Sequence, residues 1–487
     1  MAEGVVLKVH PPGSNVPSSS STAIYRPPSL SQWWFESSHE LYDPTRKDLH
    51  VISRTFTLVS NLHLIVDHIN PFPLLNRQIS AGIVQYALPT SKTPPLQYNG
   101  KFSYLPKYWG WLEDILSRNS KVLSDAKLYE PLLALIFTYD RNTHVLQAFL
   151  ERWCAAMNTL HTSIGEVSIS LQDLHLISGL PVYGSFYDEV VPNVKDISSL
   201  PSSCRHLFAT FHLLSLELGG SHLVTTATWV KFWLCGKSKY QKPPTRRSIK
   251  RTTRGKQFHN PSGKINAPKI LTVEDEAPFD VLKVEKRLIE ETWLAALTSC
   301  WLCKFALPDG GPNLIRPGVF KSASAMAHGK TYCLAVPVLV NMYRGLNEIV
   351  SSKTPSKYEA TFPAHYSNAW LAKYFDTYFE LGGSRSKAVL CMFRYSGEGI
   401  AKHYDEVMAC KLFRAVSSFK FHRFGLFKGH REILVDDDKL PSSYVDYFIS
   451  QRSNYLASHR KSICIVEPYS LHCFGRQFGF NPHPWGA

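Results

Sequence analysis

The chain has 487 residues, of which 44% are hydrophobic and 13% aromatic, with a formal net charge of +15. Burial of that much apolar surface can offset chain entropy, which excludes global disorder. The longest apolar run, Thr292 to Cys303, is too short to cross a bilayer and is closed by Lys304, so no membrane partner is expected.

Residues 1–31 carry Pro11, Pro12, Pro17, Pro27 and Pro28 with Ser18 to Ser21, the composition of a disordered tail. Met1-Ala2-Glu3-Gly4 leads into it without the apolar core of a signal peptide. The ten scattered cysteines are therefore expected as reduced thiols of a cytosolic or nuclear protein. Residues 32–480 read as one domain and 481–487 as a short tail. Within Ser53 to Pro73, strand and helix readings compete.

From Tyr108 to Phe137 apolar residues recur at three and four, which predicts successive amphipathic helices. Val145, Phe149 and Trp153 continue that spacing and predict a helix ending near Asn158. Leu160 and Thr162, then Val167 and Ile169, alternate across Ile164-Gly165, where glycine supplies the backbone freedom of a hairpin turn. Ser170 and Asp173 form a capping box for the next helix, Leu171, Leu174 and Ile177 line its inner face, and Gly179 with Pro181 stop it.

Cys204 to Leu218 and Thr225 to Leu234 read as two further helices. Between Lys237 and Lys269 lie eleven Lys or Arg and no acid, leaving +4 for the rest of the chain. Pro243, Pro244, Pro261 and Pro268 make this a long exposed loop inside the domain. A helix follows with Ile289, Trp293, Ala296, Leu297 and Cys300 on one stripe and Glu285, Glu290 and Glu291 on the other. Pro308 to Pro317 is a break, Val336 to Val350 a helix with Pro337 in its first turn, and Trp370 to Phe379 a further helical stretch. Ala388 to Phe393 and Ile463 to Val466 look like short buried strands. The fold class is mainly α with minor β.

Two readings of the basic segment compete. It is a solvated insertion, or it works as a nuclear import signal or nucleic-acid arm through Lys237, Lys239, Lys242, Arg246, Arg247, Lys250, Arg251, Arg254 and Lys256. Only Tyr240 and Phe258 could stack on a base, so any nucleic-acid binding there is expected to ignore sequence.

Cys300-Trp301-Leu302-Cys303 lacks a second ligand pair and a preceding strand, so both thiols are read as core rather than as zinc or redox groups. His403-Tyr404-Asp405 has the spacing of two members of an iron facial triad, with His422, His430, His459 or His472 as a distant third; an exposed loop or helix end is the plainer reading. Asp436-Asp437-Asp438 reads as a solvated turn. No phosphate-binding glycine loop, dinucleotide fingerprint or nucleophile elbow is present. No metal, no cofactor and no catalytic residue is therefore expected.

Three separated segments carry a resemblance. They are Leu150-Glu151-Arg152-Trp153 through Gly165-Glu166, Asp173 and Gly179-Leu180-Pro181; Leu334 to Leu339 with Tyr343-Arg344-Gly345-Leu346-Asn347; and Glu467-Pro468-Tyr469-Ser470 with Arg476-Gln477-Phe478-Gly479. Together they resemble the plant mobile domain, a family of plant transposable elements and of nuclear proteins derived from them. The resemblance implies a nuclear, non-enzymatic recognition or scaffold module in transposon silencing, genome stability or meristem maintenance. It also implies nuclear protein partners, a protein phosphatase among them. Some members are termed aminotransferase-like, but no lysine here is marked by its surroundings as a Schiff-base former. Trp153 reads as core and Asp173 as a cap, with a binding role as the alternative. Arg344 and Arg476 either pair with buried carboxylates or line a groove. No phosphatase, transposase or zinc-knuckle segment accompanies these motifs, so a bare domain or a truncated element-derived copy is expected.

Overall fold

The structure is a computed structural model that describes residues 4–10, 34–43, 48–56, 98–99, 107–137, 139, 142–162, 165–193, 199–219, 223–234, 271–309, 313–352, 360–379, 390–396, 400–414, 419–420, 455–460 and 463–469. Two compact units divide the chain: Met1–Gln85 with Ser163–Gly165, and Tyr86–Thr162 with Glu166–Ala487. In the first, β1 (Gly4–His10), β2 (Trp34–Asp43) and β3 (Asp48–Phe56) form an antiparallel sheet in that order. The first of these strands lies in the stretch expected to be a tail, and β3 gives the start of the ambiguous Ser53–Pro73 stretch an extended backbone.

The second unit is mainly α with minor β. After β4 (Tyr98–Asn99) come α1 (Tyr108–Arg118), α2 (Ser120–Asp125), α3 (Tyr129–Leu133) and α4 (Thr143–Leu150), as the apolar spacing predicts. Asn142 caps α4 by accepting from Val145 N. The helix does not run on to Asn158. Trp153–Cys154 (β5) pairs antiparallel with Thr159–Thr162 (β6), and Asn158 takes a left-handed φ of 53° to make the reversal. Asparagine tolerates this region better than most residues. Trp153 still reaches the core, at 1% exposure, because the reversal carries it there. Gly165–Val167 (β7) completes the small sheet, and Ile164 lies outside the described residues.

The capping box is present as predicted. Ser170 Oγ accepts from Asp173 N at 2.9 Å, and Asp173 Oδ2 accepts from Ser170 N at 3.0 Å, opening α5 (Leu171–Ser178). Gly179 ends the helix with φ 73°, and a Cβ there would meet Glu130 Cβ at 2.8 Å. The short strand β8 (Asp188–Glu189) follows, then α6 (Ser202–Glu217) and α7 (Thr226–Trp233). Structure is described again at α8 (Val273–Val281), whose own capping box, Thr272 with Asp275, went unread in the sequence.

α9 (Ile289–Trp301) departs from the two-sided pattern, since every residue from Thr292 to Trp301 is buried. It is enclosed by α1, α6, α7 and α10 (Phe320–Ala327). A helix buried all round must satisfy its polar side chains internally. Thr298 Oγ1 and Ser299 Oγ do so by donating to the Leu294 and Ala295 carbonyls at 2.9 and 2.8 Å. Aromatic rings fill the surrounding space, including Trp229 stacked on Phe320 at 5.5 Å and Trp111 against Trp293 at 6.4 Å. The helix widens into a π turn over Leu302–Ala306.

α11 (Ala335–Ser351) is the second hub. It packs on α4, α5, β5, β9 (Ala360–Thr361) and the antiparallel pair β10 (Tyr455–Arg460) and β11 (Ile463–Pro468). The strand predicted at Ile463–Val466 is thus present, but it is not buried, since pairing on β10 leaves Cys464 and Val466 exposed; β8 joins β10 in parallel. α12 (Ala364–Tyr374) starts and ends earlier than the Trp370–Phe379 prediction, because Phe375 is extended. The described part of the strand predicted at Ala388–Phe393, from Leu390 on, is not a strand. Cys391–Tyr395 is a 3₁₀ turn, whose Phe393 packs on Phe137 at 4.9 Å, and 381–389 lie outside the described residues. α13 (Glu406–Arg414) lies against α4.

Gly345 lets α11 touch the next segment. A Cβ there would stand 2.5 Å from Phe362 Cβ and 2.6 Å from its Cγ. Neither a buried helix nor a fully buried ring can give way cheaply. Gly345→Ala is therefore expected to lose about 1–3 kcal/mol in urea unfolding despite alanine's better helix propensity; a neutral or stabilising change would refute this packing.

Candidate functional site

The three segments that carry the family resemblance meet around the middle of α11. Trp153 from β5 donates its indole N–H to Asn347 Oδ1 at 2.8 Å. Asn347 Nδ2 donates to Asn158 Oδ1 at 2.8 Å and to Glu467 Oε2 at 3.3 Å. Asn158 Nδ2 donates to Glu467 Oε2 and to the Pro468 carbonyl, both at 3.0 Å. One turn earlier on α11, Tyr343 donates to the Ile169 carbonyl at 2.6 Å and stands 3.0 Å from Ser168 Oγ. Tyr469, at the end of β11, accepts from Leu171 N at 3.0 Å where α5 begins. The β5–β7 block, α11 and the C-terminal hairpin are thereby bonded into one unit.

Asp173 is the second centre, and it is fully buried. Its Oδ1 accepts from Lys373 Nζ and Tyr374 OH, each at 2.7 Å; its Oδ2 accepts from Ser170 N, Ser170 Oγ at 2.8 Å and Trp370 Nε1 at 3.3 Å. A carboxylate offers roughly four acceptor positions. With five donors, Asp173 has no acceptor left for a substrate proton. The cap read in the sequence is real, and Lys373, Tyr374 and Trp370, which turn it into a buried ion pair fastening α12 to α5, were missed. Beside that carboxylate, burial pushes the Tyr374 phenol well above its ordinary range, with Asp173 adding to the effect.

A second buried ion pair joins Glu189 of β8 to Arg316, through Nε to Oε2 at 2.9 Å and Nη2 to Oε1 at 2.7 Å. Tyr187 OH also donates to Glu189, at 3.2 Å. The two-pronged geometry is the strong form of a charge-assisted bond. Of the CxxC pair, Cys300 is enclosed and burial pushes its thiol far up; Cys303 Sγ accepts from Arg316 N at 3.3 Å. Lys304, next in the π turn, donates to Asn313, and burial lowers its ammonium.

The other predicted residues fall as follows. Arg152 is buried, with Nη1 3.4 Å from the His161 carbonyl, and Glu166 Oε1 lies 3.5 Å from His161 Nε2. The Pro181 carbonyl accepts from Ala335 N at 3.0 Å, tying the end of the first block to the start of α11. Arg344 pairs with Glu348 one turn along, at 2.7 Å and half exposed. Arg476 and the whole Lys237–Lys269 segment lie outside the described residues, as do His422, His430, His472 and Asp436–Asp438. His403 is exposed, and Asp405 Oδ1 accepts from Met408 N at 2.8 Å, the bond of a helix cap. His459 is apart from them on β10, edge-on to Phe186 at 5.8 Å. Among the described residues, no group of three or more His, Cys, Asp or Glu side chains is placed to hold a metal ion, and no helix is long and apolar enough to cross a membrane.

A mainly helical body whose first block, middle helix and closing hairpin lock together is the class of protein that this geometry defines. The family model for the plant mobile domain matches residues 128–484, and the chain belongs to that family. It is similar to Protein MAINTENANCE OF MERISTEMS of Arabidopsis thaliana, with 35% identity over 98 residues. That match covers 20% of this chain and 19% of the relative, so the chain spans about a fifth of the length of the curated relative it matches. No solved structure matches.

Two outcomes follow from the network. Asn347→Ala takes away the acceptor of a buried indole N–H and a donor to Asn158, and is expected to cost about 2–3 kcal/mol. Arg344→Ala, which removes only a half-exposed pair within one helix, should cost less than about 0.5 kcal/mol; equal losses in urea unfolding would contradict this ranking. Glu467 gives a pH dependence. Burial raises its carboxyl, Asn158 and Arg344 oppose this, and Glu348 reinforces it. A carboxyl raised on folding binds its proton more tightly when folded. Its contribution is therefore fully present below the ordinary glutamate pKa and is lost as pH rises through the raised one. Compared with the Glu467→Gln variant, wild type should gain stability as pH is lowered through that window, and parallel profiles would show that Glu467 does not titrate as described.

Proposed function

We propose that the protein is a non-enzymatic recognition or scaffold module that works in the nucleus, in transposon silencing, genome stability or meristem maintenance. One observation carries this reading. The residues by which the family is recognised are committed to structural bonds: Trp153 to Asn347 and Asn347 to Glu467, with Asp173 held by Lys373 of α12. Groups committed in this way hold a shape instead of attacking a substrate. Membership of the family and the short match to a protein named for maintaining meristems support the biological setting. Its partners on this reading are nuclear proteins, a protein phosphatase among them, and it needs no cofactor. Metal analysis of the purified protein is the test. Substoichiometric iron and zinc is expected, whereas a stoichiometric metal lost in His403→Ala would overturn the proposal in favour of a metal-dependent enzyme using His403 and Asp405.

A second reading has its own support. Trp233, at the end of α7, packs on Phe279 of α8 at 5.9 Å, and its carbonyl accepts from Trp293 Nε1 at 3.1 Å. The helices on either side of the basic segment, α7 and α8, therefore pack on one another. A run of cations between them suits sequence-independent contact with nucleic-acid phosphates and nuclear import. If six to ten side chains meet phosphate, wild-type affinity for duplex DNA should fall by about 10³ to 10⁵ between 50 and 200 mM salt. Deleting residues 237–269 should flatten that dependence and reduce nuclear accumulation of a fluorescent fusion; an unchanged salt slope would remove the segment from nucleic-acid binding.

A further inference from the structure

We draw no further inference here: the strongest candidate, the solvent-facing side of the β8, β10 and β11 sheet with Phe186, Tyr455 and Val466 exposed, is an apolar face, and nothing in the structure shows what covers it.

Discussion

The bonds that Asn158 and Asn347 make to Glu467 hold this fold's distant parts in register. Asn158 and Glu467 are 309 positions apart yet bonded directly, and Asn347, between them in sequence, donates to both. Closing so long a loop costs entropy, but the cost grows only as the logarithm of length. A few well-made contacts can therefore join chain ends that are remote. What they need is specificity, and an apolar contact would supply little of it. A carboxylate flanked by two amide donors accepts only one arrangement of those side chains. Asn158 takes part in both the tight reversal between β5 and β6, through its left-handed φ, and the long-range network, through its side chain.

The buried ion pairs show the same economy at higher energetic stakes. Taking Asp173 with Lys373, or Glu189 with Arg316, out of water costs several kcal/mol per ion, and the attraction repays this only where geometry is good and the remaining acceptors are filled. Asp173 meets that condition with five donors, whereas Glu189 has a two-pronged guanidinium and a phenol but Arg316 Nη1 is buried without an acceptor among the described residues. Such pairs add little net stability over an apolar core, yet each forbids alternative packings. A misplaced α12 or β8 would leave a charge buried alone. The apolar mass around α9 drives collapse, and these polar centres select one collapsed form.

What could be read from sequence was local. The Ser170–Asp173 cap, the Gly179 stop and most helices between Tyr108 and Val350 follow from spacing within one or two turns. Failures arose where distant partners decide. Trp153 keeps the helical interval from Phe149, but pairing of its backbone with Leu160 ends the helix at Leu150. Met392 and Phe393 have the apolar character of a strand, yet sit in a 3₁₀ turn against Phe137. Of the site, Trp153 and Asp173 were recognisable, whereas the partners that define their roles, Asn347 and Lys373, are 194 and 200 residues away. Asn347 and Glu467 lay inside the recognised motifs without standing out, because nothing local distinguishes a network asparagine or glutamate from an exposed one.

Charge divides the molecule as packing does. Eleven of its fifteen excess positive charges fall between Lys237 and Lys269, and the rest of the chain is left close to neutral for its size. Attraction to phosphates weakens steeply with salt, so at physiological ionic strength only a dense run of cations holds a polyanion. A net +4 over the remaining residues lacks that density. On the proposed reading, contact with nucleic acid and contact with protein partners are therefore separable properties of one chain. The first would reside in the basic segment, and the second in a surface whose shape depends on Asn347, Glu467 and Asp173 keeping their bonds.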